Sequence, residues 1–344
     1  MKHLKFVNDR IKSLKSYTVP PVLEGEIKLD AQENPYQLPD KLKEKLSRIL
    51  SEVELNRYPD PGCSELRIKI GEYCNLEAGN ILVGNGSDEL ILMLFLACGG
   101  VGKKAVFPVP TFSMYRILSR LTGTGYRGVP LEENFALPAK KIMSARPDML
   151  FITYPNNPTG NCFSRKKIID IVENTAGLVV IDEAYFEFSG KTFRDRLNRY
   201  DNLVILRTFS KAFSLAGIRA GYIMGGKKII KELEKVQLPY NVSIVNQKLL
   251  EAVMSERDLI KPVVEKLNRS REKLMTGLKR IEGITPYPSE ANYILMKIDN
   301  IDKVVRNLKR NNIKVREFSD ESLKNHLRVT VGTDRENKKL IEAL

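Results

Sequence analysis

An alternation that begins near residue 80 constrains this chain more than any other feature. Short apolar runs occur at Ile81-Leu82-Val83, Ala105-Val106-Phe107, Met149 to Thr153, Leu178 to Ile181, Leu203 to Leu206 and Ala220 to Met224. Helical patterns such as Asp88 to Ala97, Ser113 to Leu121 and Arg165 to Val172 separate several of them. A short apolar run with no polar face suits a strand buried on both sides, and a helix between two strands lets them lie parallel. The spacing predicts an α/β fold, a mainly parallel sheet with helices on both faces.

The pattern changes after Leu238-Pro239. A long polar-faced helix over 245–280, interrupted or bent near Pro262, is followed by short strands at 291–298, 313–316 and 327–331 and a helix over 300–311. The 344 residues divide on this reading into an N-terminal arm (1–30), which otherwise forms part of the small domain, a large domain (31–238) and a small α+β domain (239–344).

Composition removes several function classes. Only His3 and His326 are present, which argues against a Ser-His-Asp triad and a three-histidine metal site. Cys63, Cys74, Cys98 and Cys162 form no C-x-x-C pair, so neither zinc nor a disulfide framework is signalled. With no apolar leader and no run long enough for a membrane, the expectation is a soluble, cytoplasmic protein. Lys and Arg (56) outnumber Asp and Glu (42), but the excess is scattered in pairs such as Lys103-Lys104 and Lys227-Lys228. That dispersal favours an anionic small molecule over a nucleic acid.

Four segments fall at the ends of predicted strands, where open α/β sheets place ligands. Gly84-Asn85-Gly86-Ser87-Asp88-Glu89 opens a helix and reads either as an anion site on free amides or as a glycine turn capped by Ser87. Glu89 in the third glycine position removes a dinucleotide fingerprint. Tyr154 to Gly160 reads as a Pro/Gly turn. Asp182, at the end of Val179-Val180-Ile181, is either a helix cap or the partner of a buried cation. Lys211, set among Thr208, Ser210 and Phe213, is either a solvated lysine or a desolvated, nucleophilic amine.

Taken with Leu29 to Tyr36, Asn56 to Pro61, Ser289 to Leu295 and Leu327 to Thr333, these segments resemble, in order and over about residues 17–335, the class II pyridoxal-phosphate aminotransferases of fold type I. Among them the resemblance is to the histidinol-phosphate aminotransferase family. It implies a seven-stranded, mainly parallel sheet in the large domain, a homodimer with shared active sites and bound pyridoxal 5'-phosphate. It further implies transfer of an amino group from histidinol phosphate to 2-oxoglutarate. A threonine-phosphate decarboxylase and an aromatic amino-acid aminotransferase are the alternatives in the same subgroup.

By that resemblance Lys211 holds the cofactor's aldehyde and serves as the base, while Asp182 faces the pyridine nitrogen. Asn157 and Tyr185 donate to the phenolate oxygen, and Phe112 stacks on the ring. Ser87, Asp88, Ser210 and Arg219 hold the phosphate, and Tyr58 reaches in from the second subunit. Arg328 receives a carboxylate, whereas Arg316, with Tyr17 of the arm, receives the substrate phosphate. The sequence departs from the family at Phe112, usually tyrosine, and at Gln37, usually glycine.

Overall fold

The apolar runs become strands because both faces of the sheet they form are covered. The computed structural model describes residues 5–14, 16, 21 and 24–344. In chain order the strands are β1 (Ile27–Leu29), β2 (Ile81–Gly84), β3 (Lys104–Val109), β4 (Gly125–Pro130), β5 (Met149–Thr153) and β6 (Leu178–Asp182). They continue with β7 (Leu203–Thr208), β8 (Gly221–Gly225), β9 (Ile284–Pro286), β10 (Tyr293–Ile298), β11 (Ile313–Glu317) and β12 (His326–Thr330).

Seven strands form one sheet in the order β2, β8, β7, β6, β5, β3, β4. All neighbours are parallel except at β8, which runs antiparallel to both β2 and β7. The period-two alternation sorts the side chains cleanly. Val106, Ile152, Ile181 and Ile205 join one apolar cluster, and Phe107, Phe151, Val180 and Leu206 join the other, on the opposite face. The helix Ser87–Cys98 is apolar almost throughout because it packs into the second cluster, with Leu90, Ile91, Leu94 and Phe95 buried.

Strand β4 was not foreseen as a separate run. Gly125, Tyr126 and Arg127 are exposed, so this edge strand carries no continuous apolar signal. The predicted helix over 245–280 is two helices, Ile244–Ser255 and Lys261–Leu278, the second with Pro262 in its first turn. Proline is tolerated there because first-turn amides have no partner within the helix. Ile244–Ser255 packs against Asp40–Glu52 and Ser64–Cys74, helices from the first part of the chain.

The second sheet has the order β1, β11, β12, β10, β9. Its edge strand β1 comes from the predicted arm and pairs in parallel with β11, joining Leu29 to Val315. No helix among the described residues is long and apolar enough to cross a membrane.

Candidate active site

Strands β5, β6 and β7 end side by side, and the turns beyond them carry the chemistry. The order of strand addition reverses between the parallel strands β3 and β5, with β4 added on one side and β6 on the other, so the connections diverge and leave a crevice at the carboxyl ends. Asp182 is the last residue of β6 and is buried. Its Oδ1 accepts from the Ala184 amide at 3.1 Å and its Oδ2 from the Tyr115 hydroxyl at 2.6 Å. Burial raises its pKa to about 6 against the lowering effect of those two donors.

Lys211 lies three residues beyond β7. Its Nζ donates to the Ala31 carbonyl at 2.9 Å, and burial, assisted by the nearby charge of Arg328, lowers its pKa to about 8. The side chain is half-buried rather than fully solvated. Behind it, Arg207 and Glu183 form a buried ion pair at 2.8 Å, and Glu183 also accepts from the Phe193 amide at 2.7 Å. These contacts fix the segment that follows Asp182.

The helix Ser87–Cys98 starts with Gly86 in the capping position and no side-chain cap. Ser87 is thus the first helical residue, not the cap, and the first-turn amides keep their capacity to bind an anion. Arg219 reaches the same place: Nη1 lies 3.4 Å from Ser210 Oγ, and Nη2 lies 3.3 Å from Asp88 Oδ2. Gly86, at φ +87°, leaves room for this guanidinium, because a Cβ there would stand 3.1 Å from Arg219 Nη2. A Cβ on Gly221 would stand 3.0 Å from the Ser87 nitrogen.

On the other side, Asn157 Oδ1 accepts from Arg328 Nη1 at 2.6 Å and from Gln32 Nε2 at 3.2 Å. Two donors on the oxygen leave the Asn157 amide nitrogen as the end available to a ligand. Tyr185 is buried edge-on against Tyr293. Arg328 is buried, donates from Nη2 to the Asp30 carbonyl at 2.6 Å, and has an Nε without a partner. No carboxylate pairs with it among the described residues, so an uncompensated cation faces this region.

Arg316 sits opposite Arg328 in the register of β11 and β12 but is exposed. Phe112 is half-buried, edge-on to Tyr115 at 5.6 Å. Tyr58 stacks on Tyr240, with ring centroids 4.5 Å apart, and is 81% exposed. Tyr17 lies outside the described residues.

The model for aminotransferases of class I and II matches residues 24–344. The chain belongs to this family. A histidinol-phosphate aminotransferase of Caldanaerobacter subterraneus subsp. tengcongensis is 38% identical over 343 residues, covering 98% of this chain and 97% of that protein. Histidinol-phosphate aminotransferase 2 of Nitrosococcus oceani is 40% identical over 349 residues, covering 99% and 96%. The fold matches the crystal structure of histidinol-phosphate aminotransferase from Sinorhizobium meliloti in complex with pyridoxal-5'-phosphate, with TM-score 0.91 at 20% identity and coverage of 100% and 97%.

The family uses pyridoxal phosphate. The residues here fit that group: uncapped amides and Arg219 suit a phosphate, Asp182 a protonated ring nitrogen, and Lys211 an aldehyde. Three site residues escaped sequence reasoning. Tyr115 reads as the apolar face of a helix, Gln32 lies in the irregular segment after β1, and Asn292 reads equally as a turn or strand-end residue. Asn292 Nδ2 donates to the Gln32 carbonyl at 3.0 Å, which holds Gln32 beside Asn157. Gln32 adopts φ +54°, a left-handed conformation that the pattern alone did not announce.

Proposed function

We propose that the enzyme transfers an amino group from histidinol phosphate to 2-oxoglutarate, giving imidazole-acetol phosphate and glutamate, a step of histidine biosynthesis. The arginines on β11 and β12 carry the substrate reading. One is buried and lacks an anion; its neighbour is exposed at the rim. Such a pair suits a carboxylate in one half-reaction and a phosphate in the other. Near full-length identity of 38–40% to proteins of that name supports the same substrate.

When bound, the cofactor supplies an electron sink for charge that develops on the substrate carbon. Lys211 Nζ would hold the aldehyde and, when free, would carry a proton from the substrate carbon, a role its lowered pKa suits. Asp182 stabilises the positive ring nitrogen. Asn157 Nδ2 and the Tyr185 hydroxyl would donate to the phenolate oxygen, and Phe112 would cover the ring. The amides of Ser87 and Asp88, with Ser210 and Arg219, hold the phosphate. Arg328 grips the carboxylate of glutamate, and Arg316, with Tyr17, grips the phosphate of histidinol phosphate.

Mixing holoenzyme with histidinol phosphate, phenylalanine or threonine phosphate tests the substrate. Histidinol phosphate converts the cofactor's absorbance to that of its amine form. Conversion by phenylalanine alone, or carbon dioxide release from threonine phosphate without conversion, replaces this reading with one of the alternatives. Arg316→Ala lowers kcat/KM for histidinol phosphate by about 1.5–3 kcal/mol, the range for a hydrogen bond to a charged group, and lowers that for glutamate less. Equal losses for both substrates overturn the phosphate role.

The active unit is a homodimer. Leu55, Tyr58 and Leu238 are each more than 70% exposed, and the Tyr58–Tyr240 stack ties the two segments into one apolar patch suited to a second copy. Mixing an inactive Lys211 variant with an inactive Tyr58 variant restores activity, because hybrid dimers contain one site with both residues. No recovery after verified subunit exchange removes Tyr58 from the neighbouring site.

A further inference from the structure

Tyr115 is fully buried in the helix Met114–Thr122, yet its hydroxyl is drawn to the most consequential carboxylate of the site. It lies 2.6 Å from Asp182 Oδ2 and 2.8 Å from Thr153 Oγ1. A phenol has one hydrogen, and an ionised carboxylate only accepts, so Tyr115 donates to Asp182 and accepts from Thr153. The next link fits that direction. Thr111 Oγ1 donates to Asn156 Oδ1 at 3.1 Å, because the Asn156 amide nitrogen already donates to the Pro110 carbonyl and to Thr159. The Thr153 hydrogen is then the one left for its contacts with Thr111 at 3.3 Å and Tyr115 at 2.8 Å, and the shorter contact, to Tyr115, takes it.

The ring cannot swing away. It stacks on Phe151 at 4.7 Å and meets the edge of Phe112 at 5.6 Å. With Oδ1 held by the Ala184 amide, both oxygens of Asp182 are pinned, and rotation of the carboxylate is blocked. Asp88 and Glu183 act on Asp182 in the opposite sense, since both are acidic and favour its protonated form.

We propose that Tyr115 is a positioning residue: its hydroxyl aims the Asp182 carboxylate and holds the shared proton on the pyridine nitrogen of the bound cofactor. A donor on Oδ2 weakens the carboxylate's hold on a proton, so the proton stays on nitrogen and the ring keeps its charge. Thr153 acts one step further out by strengthening Tyr115 as a donor. The inference rests on the reading of Asp182 as the partner of the ring nitrogen.

Holoenzyme carrying cofactor labelled with 15N in the ring provides the test, read by the nitrogen chemical shift and by steady-state kinetics. Tyr115→Phe keeps the ring packing and removes only the hydroxyl. Its resonance moves toward that of unprotonated pyridine, and kcat falls about tenfold to a hundredfold with KM for the amino donor unchanged. Thr153→Val shifts the resonance in the same direction by less, and it supplies the readout should the Phe variant fail to fold. An unmoved resonance in the folded variants overturns the proposal, even where kcat falls, because a structural role leaves the proton in place. The resonance is read without an amino donor, so a wrong substrate assignment leaves the test intact. Wild-type protein that binds no cofactor overturns the reading of Asp182 and this inference together.

Discussion

Replacing Lys211 by alanine leaves the fold intact and lowers transamination by at least about four orders of magnitude, because in the proposed mechanism one Nζ supplies both the covalent hold on the cofactor and the proton carrier. No neighbour can take its place. Arg328 cannot give up a proton at working pH, and burial pushes the Tyr185 hydroxyl up, out of reach as a base. His326 is bound up with Tyr287 and the Lys324 carbonyl on the second sheet. The fold tolerates the change because the ammonium's hydrogen bond is a single one, to the Ala31 carbonyl.

The same lysine sets a pH profile. Its pKa is lowered to about 8, so the neutral amine that attacks an aldehyde is present at lower pH than for an ordinary lysine. The rate at which apoprotein captures pyridoxal phosphate, followed by absorbance, rises with pH and levels off above about pH 8. A plateau only near the ordinary lysine value of about 10.4, or an alanine variant with wild-type turnover, contradicts the assignment.

Asp182→Asn is the second large effect. A neutral amide cannot hold a positive ring nitrogen, and losing one partner of a desolvated charge pair costs about 2–5 kcal/mol, tens to several thousandfold in kcat. The substitution also disturbs the ground state. Tyr115 and the Ala184 amide both donate to Asp182, and an asparagine offers only one acceptor, so one donor meets the NH2 group. That unmet donor lowers stability by about 1–3 kcal/mol, visible as a lower melting temperature. An Asn variant with wild-type kcat in single-turnover absorbance measurements removes Asp182 from the mechanism.

The central strands were legible because β5, β6 and β7 are buried on both faces and must be apolar along their whole length. Strand β4 was not, since an exposed edge permits Gly125, Tyr126 and Arg127. Lys211, Asp182 and Arg219 could be read from short segments, each local in sequence. The links between segments could not. Arg328 reaches Asn157 from 171 positions away and Gln32 reaches it from 125, and neither pairing leaves a trace in local periodicity. Tyr115 is hidden for a different reason: a tyrosine on the inner face of a helix looks like packing, and only the 2.6 Å contact reveals its second role.

Strand β1 has a consequence for the order in which the molecule is completed. It leaves the ribosome well before its pairing partner β11, to which it is joined by the register Ile27 to Ile313. The turn after β1 is then tied to Asn292, Arg328 and Thr330 through Gln32 and Asp30. A chain still short of β12 has its central sheet and Lys211 but nothing to seat the segment that covers them. Closing so long a loop is slow, and it waits on synthesis itself. A nascent chain that has its sheet but not yet β12 leaves its reactive amine uncovered, so the site is completed only by segments made after its lysine.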